Sequence, residues 1–162
     1  MSFSGILIAN RGEIAIRIAR AASDLGIRSV AVFSGDDESS LHVIKSDERV
    51  LLPGKGAAAY LDMDSIISAA KKNNCDAIHP GYGFLSEQAD FAKKCELEGV
   101  TFIGPKEKHL RLFGDKGAAR DAARSASVPV LNGINQPITL EEAELFCEDV
   151  KGSILGKEIA GG

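Results

Sequence analysis

The sequence predicts an α/β fold built on a doubly wound parallel sheet, and three observations carry that prediction. Apolar runs of four or five residues recur, and they are continuous rather than alternating, as strands buried on both faces require. Segments with helical spacing separate them, and glycine or proline punctuates most of the junctions.

Gly5-Ile6-Leu7-Ile8-Ala9 is the first such run. After the break Asn10-Arg11-Gly12, Ile14, Ile18, Ala22 and Leu25 recur at helical spacing, with Arg17, Arg20 and Asp24 between them. Gly26 ends this helix, and Ser29-Val30-Ala31-Val32-Phe33 follows as a second buried strand. Strand, helix and strand within about 30 residues make a βαβ unit. The alternation continues with a short strand at Glu48 to Leu52, stopped by Pro53-Gly54, and a helix from Met63 to Lys72. Ala77-Ile78-His79 is the next strand, ended by Pro80-Gly81. Ser86 is positioned to cap a helix running to about Glu98, with Phe91, Ala92 and Cys95 inward. Val100 to Ile103 forms the last strand, stopped by Gly104-Pro105.

Beyond residue 105 the pattern changes. Residues 106–126 read as helix, split at Gly114-Asp115. The stretch from Val128-Pro129 to Gln136-Pro137 reads as a loop or domain connection. Thr139 and Glu142 have capping-box spacing ahead of one more helix, and Ser153-Ile154-Leu155 is a candidate strand start. The expected organisation is an N-terminal domain over 1–112, a helical linker over 113–136, and the beginning of another unit over 137–162.

Composition narrows the function. The chain has 162 residues, 44% hydrophobic and 26% charged, with a net charge of −4. That acidic balance supplies no basic field for nucleic acid or an anionic membrane. No apolar run approaches the roughly 20 residues that span a bilayer. The N-terminus enters its first strand without a charged n-region and cleavage site, so no signal peptide is expected. Cys75, Cys95 and Cys147 lie far apart, which points to reduced thiols in a cytoplasmic setting rather than to zinc or a redox pair. His42, His79 and His109 do not cluster either.

Two nucleotide-binding motifs can be set aside. The dinucleotide fingerprint needs three glycines, and Asn10 to Ala15 supplies one. Asp36 and Asp37 lie near where a ribose-binding acid would stand, but Ser34-Gly35-Asp36-Asp37 reads equally as a solvated turn. Gly152 to Lys157 is one residue short of a P-loop, and Glu158 replaces the Ser or Thr that should reach magnesium.

The densest motif is His79-Pro80-Gly81-Tyr82-Gly83-Phe84-Leu85-Ser86-Glu87. It joins a strand end to a helix start, the edge at which open α/β sheets bind ligands. Its glycines let a ligand approach the backbone, although a packed strand-to-helix turn accounts for the same residues.

Five segments in order resemble the biotin carboxylase family: Ile6 to Ala15, Tyr60-Leu61-Asp62, His79 to Glu87, Phe102-Ile103-Gly104-Pro105 and Gly114-Asp115-Lys116. The resemblance covers residues 6–116 most strongly and weakens after about residue 135. It implies a Rossmann-like sheet that precedes an ATP-grasp unit. It also implies activation of bicarbonate by MgATP, through carboxyphosphate, to carboxylate biotin held on a carrier domain. A carboxyltransferase then passes the carboxyl group to an acceptor, and the parent enzyme is expected to be homo-oligomeric. By the same resemblance Lys116 contacts ATP phosphates, Tyr82 and Gly83 lie beside biotin, and Lys157 is a second phosphate lysine. Asn10, Arg11 and Glu13 would tie the first loop to the site edge, and His79 would serve loop architecture. The family's magnesium-binding carboxylates, bicarbonate site and base have no counterpart here, so the chain alone is expected to be inactive. The histidine of the His-Pro-Gly-Tyr-Gly loop favours a CoA ester over urea as acceptor. The alternatives are another ATP-grasp ligase, of carbamoyl-phosphate synthetase or purine carboxylase type, and a non-catalytic dimerisation module.

Overall fold

The computed structural model of this chain describes residues 3–134, 136–150 and 154. Residue contacts divide the chain into two compact units, with the boundary between Leu110 and Arg111.

The first unit holds five strands: β1 (Gly5–Ile8), β2 (Arg28–Phe33), β3 (Glu48–Leu51), β4 (Ala77–His79) and β5 (Thr101–Phe102). All four strand pairings are parallel, in the order β3-β2-β1-β4-β5. Strand order therefore reverses direction between β1 and β4, which makes the crevice above that pair the ligand-binding edge of such a sheet.

The continuous apolar composition of β1 follows from burial on both faces. Ile8 packs with Ala15, Ile18 and Ala19 of α1 (Gly12–Asp24) on one side. Leu7 packs on the other side in the main core, with Ile66 and Ile67 of α4 (Met63–Lys72) and Phe91 and Cys95 of α5 (Ala89–Leu97). Leu7 and Ile8 are both fully buried, each stabilising the fold by about 1.5–3 kcal/mol over an exposed side chain. α1 closes with backbone bonds from Gly26 N–H to Ser23 O (3.0 Å) and from Ile27 N–H to Ala22 O (2.8 Å), the double bond of a Schellman cap.

The inward face of α1 differs from the spacing-based expectation in one residue. Leu25 is 72% exposed, because it is the C-cap, and the buried stripe ends at Ala22. Ser86 also departs from its expected role. Its N–H closes a turn onto Gly83 O (2.9 Å), and the helix starts three residues later with Gln88 as N-cap. The loop outcompetes the helix there because its own turn already satisfies the backbone. Two short helices with no periodic pattern to announce them, α2 (Leu41–Lys45) and α3 (Gly56–Ala59), flank β3.

The unit boundary falls within α6 (Glu107–Gly114), after which come α7 (Lys116–Ser125) and α8 (Leu140–Val150). Asp115 separates α6 from α7 and caps the latter by accepting from Ala118 N–H (2.8 Å). The expected capping box precedes α8: Glu142 N–H donates to Thr139 Oγ1 (3.2 Å), and Thr139 N–H donates to the Glu142 carboxylate (2.7 Å).

Candidate functional site

The loops after β1 and β4 meet at the switch point, and Asn10 joins them. Its Nδ2 donates to Pro80 O (2.6 Å) and Tyr82 O (2.8 Å), while its Oδ1 accepts from Arg11 N–H (2.8 Å). Asn10 is buried, so these bonds satisfy its amide where water cannot. Gly81 lies against this amide. A Cβ on it would stand 2.8 Å from Asn10 Nδ2 and 3.0 Å from Ile14 Cγ1, and its φ of +66° already favours glycine.

His79 is part of the scaffold of this loop. Its Nδ1 accepts from Gly81 N–H (3.0 Å), and burial holds its pKa below the usual histidine value. That bond requires an unprotonated Nδ1, so the neutral ring carries its proton on Nε2. His79 therefore shapes the turn rather than offering a base to it.

Tyr82 and Gly83 face the opposite condition. Tyr82 is 61% exposed, and its hydroxyl is anchored by donating to Glu13 of α1. That bond also pushes the hydroxyl pKa up, since ionisation would set two anions together. Gly83 also has a φ of +66°, but no atom lies within 4 Å of where its Cβ would point. The backbone there borders open space.

Phe84 continues the left-handed run at φ +43°, a conformation that costs a non-glycine residue about 1–2 kcal/mol. Its ring stacks on Tyr60 at 5.3 Å between centroids. The Arg11 guanidinium lies 5.7 Å from the Tyr60 ring centre and 5.9 Å from that of Phe84, within cation–π range. Arg11 also pairs with Asp37 at 3.2 Å. Asp37 further accepts from Tyr60 OH (2.8 Å), Ser34 Oγ (3.2 Å) and Ser40 Oγ (3.1 Å). Burial raises the Asp37 pKa, but the bonds from Tyr60, Arg11, Ser40 and Ser34 outweigh it and hold the carboxyl below its usual range. Burial and this same carboxylate push Tyr60 up to about 12. Asp37 is thus a structural anion, not part of a solvated turn. Its signal in the sequence was position alone: it follows β2 at the same sheet edge.

The five-strand sheet, the switch-point loops and the His79 to Glu87 turn agree with one family. Residues 2–110 match the biotin carboxylase N-terminal domain. The chain belongs to that family. It is 52% identical to pyruvate carboxylase of Bacillus subtilis over 99% of this chain and 14% of that protein. It is 48% identical to urea amidolyase of Lachancea kluyveri, over 99% of this chain and 9% of that one. A solved biotin carboxylase domain of Hydrogenobacter thermophilus 2-oxoglutarate carboxylase, in complex with MgADP and bicarbonate, superposes with a TM-score of 0.93 at 38% identity. That match covers all of this chain and 36% of the other. The chain therefore spans a small fraction of the relatives it matches.

The remaining expected residues of this biotin carboxylase domain lie apart in the sequence. Lys116 is exposed at the first position of α7, in the second unit. Lys157 and most of the expected strand at residues 153–155 lie outside the described residues. Among the described residues no three His, Cys, Asp or Glu side chains group to hold a metal. No described helix is long and apolar enough to cross a membrane.

Proposed function

We propose that this domain is the N-terminal part of an ATP-dependent biotin carboxylase, which uses MgATP and bicarbonate, through carboxyphosphate, to carboxylate biotin. The observation that carries the reading is the switch-point loop. Tyr82 and Gly83 combine an exposed but anchored ring with a backbone that borders open space. That suits the ureido ring of biotin, held by shape and by backbone contact rather than by proton transfer.

Lys116 is assigned to the ATP phosphates, and local structure supports this. A lysine at a helix start opposes the helix dipole, which favours cations at the other end. Helix stability does not account for it. An anion at the start of α7 would meet the ammonium group at the positive end of the helix dipole, beside the Asp115 cap. Lys157 is proposed as a second phosphate lysine. The domain is proposed to span 1–112, followed by a linker over 113–136 and the start of an ATP-grasp unit over 137–162. Magnesium and bicarbonate are assigned to parts of the enzyme outside these residues. Biotin would arrive on a carrier domain and leave its carboxyl group at a carboxyltransferase, in a homo-oligomeric parent. Burial holds Cys75 and Cys95 up at about 11 and about 12, which fits reduced thiols in the cytoplasm. Relatives named for pyruvate, urea, 2-oxoglutarate and long-chain acyl-CoA all match this segment. Acceptor choice therefore belongs to another domain, and the CoA ester gains no support over the others.

The test is biotin-stimulated, bicarbonate-dependent ATP cleavage by a full-length carboxylase carrying this domain. Lys116→Ala is expected to raise the ATP KM about 10- to 100-fold, the value of one charge-assisted hydrogen bond. An unchanged ATP KM would remove Lys116 from the site, and turnover indifferent to biotin would overturn the reading as a whole.

A further inference from the structure

We infer that Asp37, acting through Arg11, is a positioning residue that sets the conformation of the Gly81 to Phe84 segment. Its consequence for biotin rests on the function proposed above; its consequence for the loop does not.

The chain of contact is continuous. Asp37 has side-chain exposure of 17% and accepts four side-chain hydrogen bonds, so its position is overdetermined. Two of those bonds fix the partners of Phe84: the Arg11 guanidinium and the Tyr60 hydroxyl. Those two groups in turn hold the Phe84 ring, one over it and one stacked against it. Phe84 is the residue in this segment whose left-handed backbone opposes its own side chain. A strained backbone persists only where its surroundings enforce it, and the surroundings here are the Asp37 cluster. Tyr82 is anchored separately, through Glu13. Gly81 and Tyr82 are held by His79, Asn10 and Glu13, and Phe84 by the Asp37 cluster, so releasing the Phe84 end frees Gly83 while Tyr82 stays tethered.

Without the carboxylate, Arg11 loses its fixed partner and the stack loses its cation. Asp37→Asn removes the charge at nearly constant shape. Arg11→Lys keeps a charge to pair with Asp37 but removes the planar group that covers both rings. The two changes reach the same loop by different routes, and Arg11 is 41% exposed, so its replacement is not a folding risk.

The loop is read by amide hydrogen exchange on the 162-residue chain. The Ser86 N–H bonds to Gly83 O and reports opening of this turn, and the amides of α4 serve as the global control. Either variant is expected to speed Ser86 exchange about tenfold with the α4 amides unchanged, the pattern of local opening. The same variants in a full-length carboxylase are expected to raise the KM for free biotin about tenfold, with the ATP KM unchanged. Ser86 exchange that stays at the wild-type rate, or that rises only together with α4, overturns the inference. Faster Ser86 exchange with an unchanged biotin KM upholds the inference and overturns the assignment of this loop to biotin.

Discussion

The two compact units use similar helical patterns and bury them to different extents. In the first, α1, α4 and α5 each place an apolar stripe against the parallel sheet, and every one of them has fully or nearly fully buried residues. In the second, α7 and α8 bury none, and Leu131, Leu140 and Leu145 are exposed among the described residues. An amphipathic pattern thus specifies a face, and burial requires a partner surface to cover it. The sheet supplies that surface in the first unit. The second unit carries local helix devices, the Asp115 cap of α7 and the capping box of α8.

The largest expected contrast is in side-chain truncation. Phe91 is fully buried and meets Phe102 edge to face at 5.8 Å between centroids. Phe91→Ala is expected to cost about 3–5 kcal/mol, whereas Leu145→Ala should stay within about 0.5 kcal/mol. Urea unfolding followed by circular dichroism compares the two. Equal losses would show that α8 contributes to a core, and the contrast between the units would fail.

How much of this was legible in the sequence also divides along that line. The strands were readable from short runs ended by turn signals: β1 and β2 are apolar and buried, whereas β3 opens on Glu48-Arg49, is largely exposed, and was readable from Val50-Leu51-Leu52 ahead of Pro53-Gly54. Helix ends were readable where a side chain acts within a few residues, as at Thr139 and Glu142 or at Asp115. The α2 and α3 segments were not, being too short to show a period. Long-range polar contacts were also hidden. Asp37, Arg11 and Tyr60 lie 23 to 49 positions apart, and only folding brings their side chains together. The site was legible as a motif, His79 to Glu87, but not as a geometry. Nothing in the spacing says that Asn10 spans the two loops or that Phe84 adopts a left-handed backbone.

Acid should separate the units next. All three histidines lie at or before residue 109, so a pH effect carried by histidine falls on the first unit. His42 is 1% exposed, and neither ring nitrogen has a well-formed hydrogen bond. Burial lowers its pKa below 6.5 against the opposing pull of Asp37. The unfolded chain binds a proton near its ordinary value and the folded chain does not, so the stabilisation is complete above about pH 6.5. It is lost as the pH falls from there toward the depressed folded value. The slope from this one group can reach about 1.4 kcal/mol per pH unit. His42→Leu should flatten stability against pH between 7 and 5; an unchanged slope would mean that His42 titrates alike in both states.

The smallest expected effects are those of the caps, and they test whether local and global stability are linked. Asp62 caps α4 in the first unit by accepting from Ser65 N–H (3.1 Å) and Ser65 Oγ (2.6 Å). Thr139 does the equivalent for α8. Replacing either by alanine removes about 1 kcal/mol of helix stability. α4 is tied into the main core through Ile66, Ile67 and Ala70, so Asp62→Ala should lower the unfolding midpoint of the whole first unit. α8 has no buried residue among the described residues. Thr139→Ala should therefore fray α8, seen as faster amide exchange in its first turn, and leave that midpoint where it was. A shift of the midpoint by Thr139→Ala would show that the two units unfold together and that the exposed face of α8 contributes to the common fold.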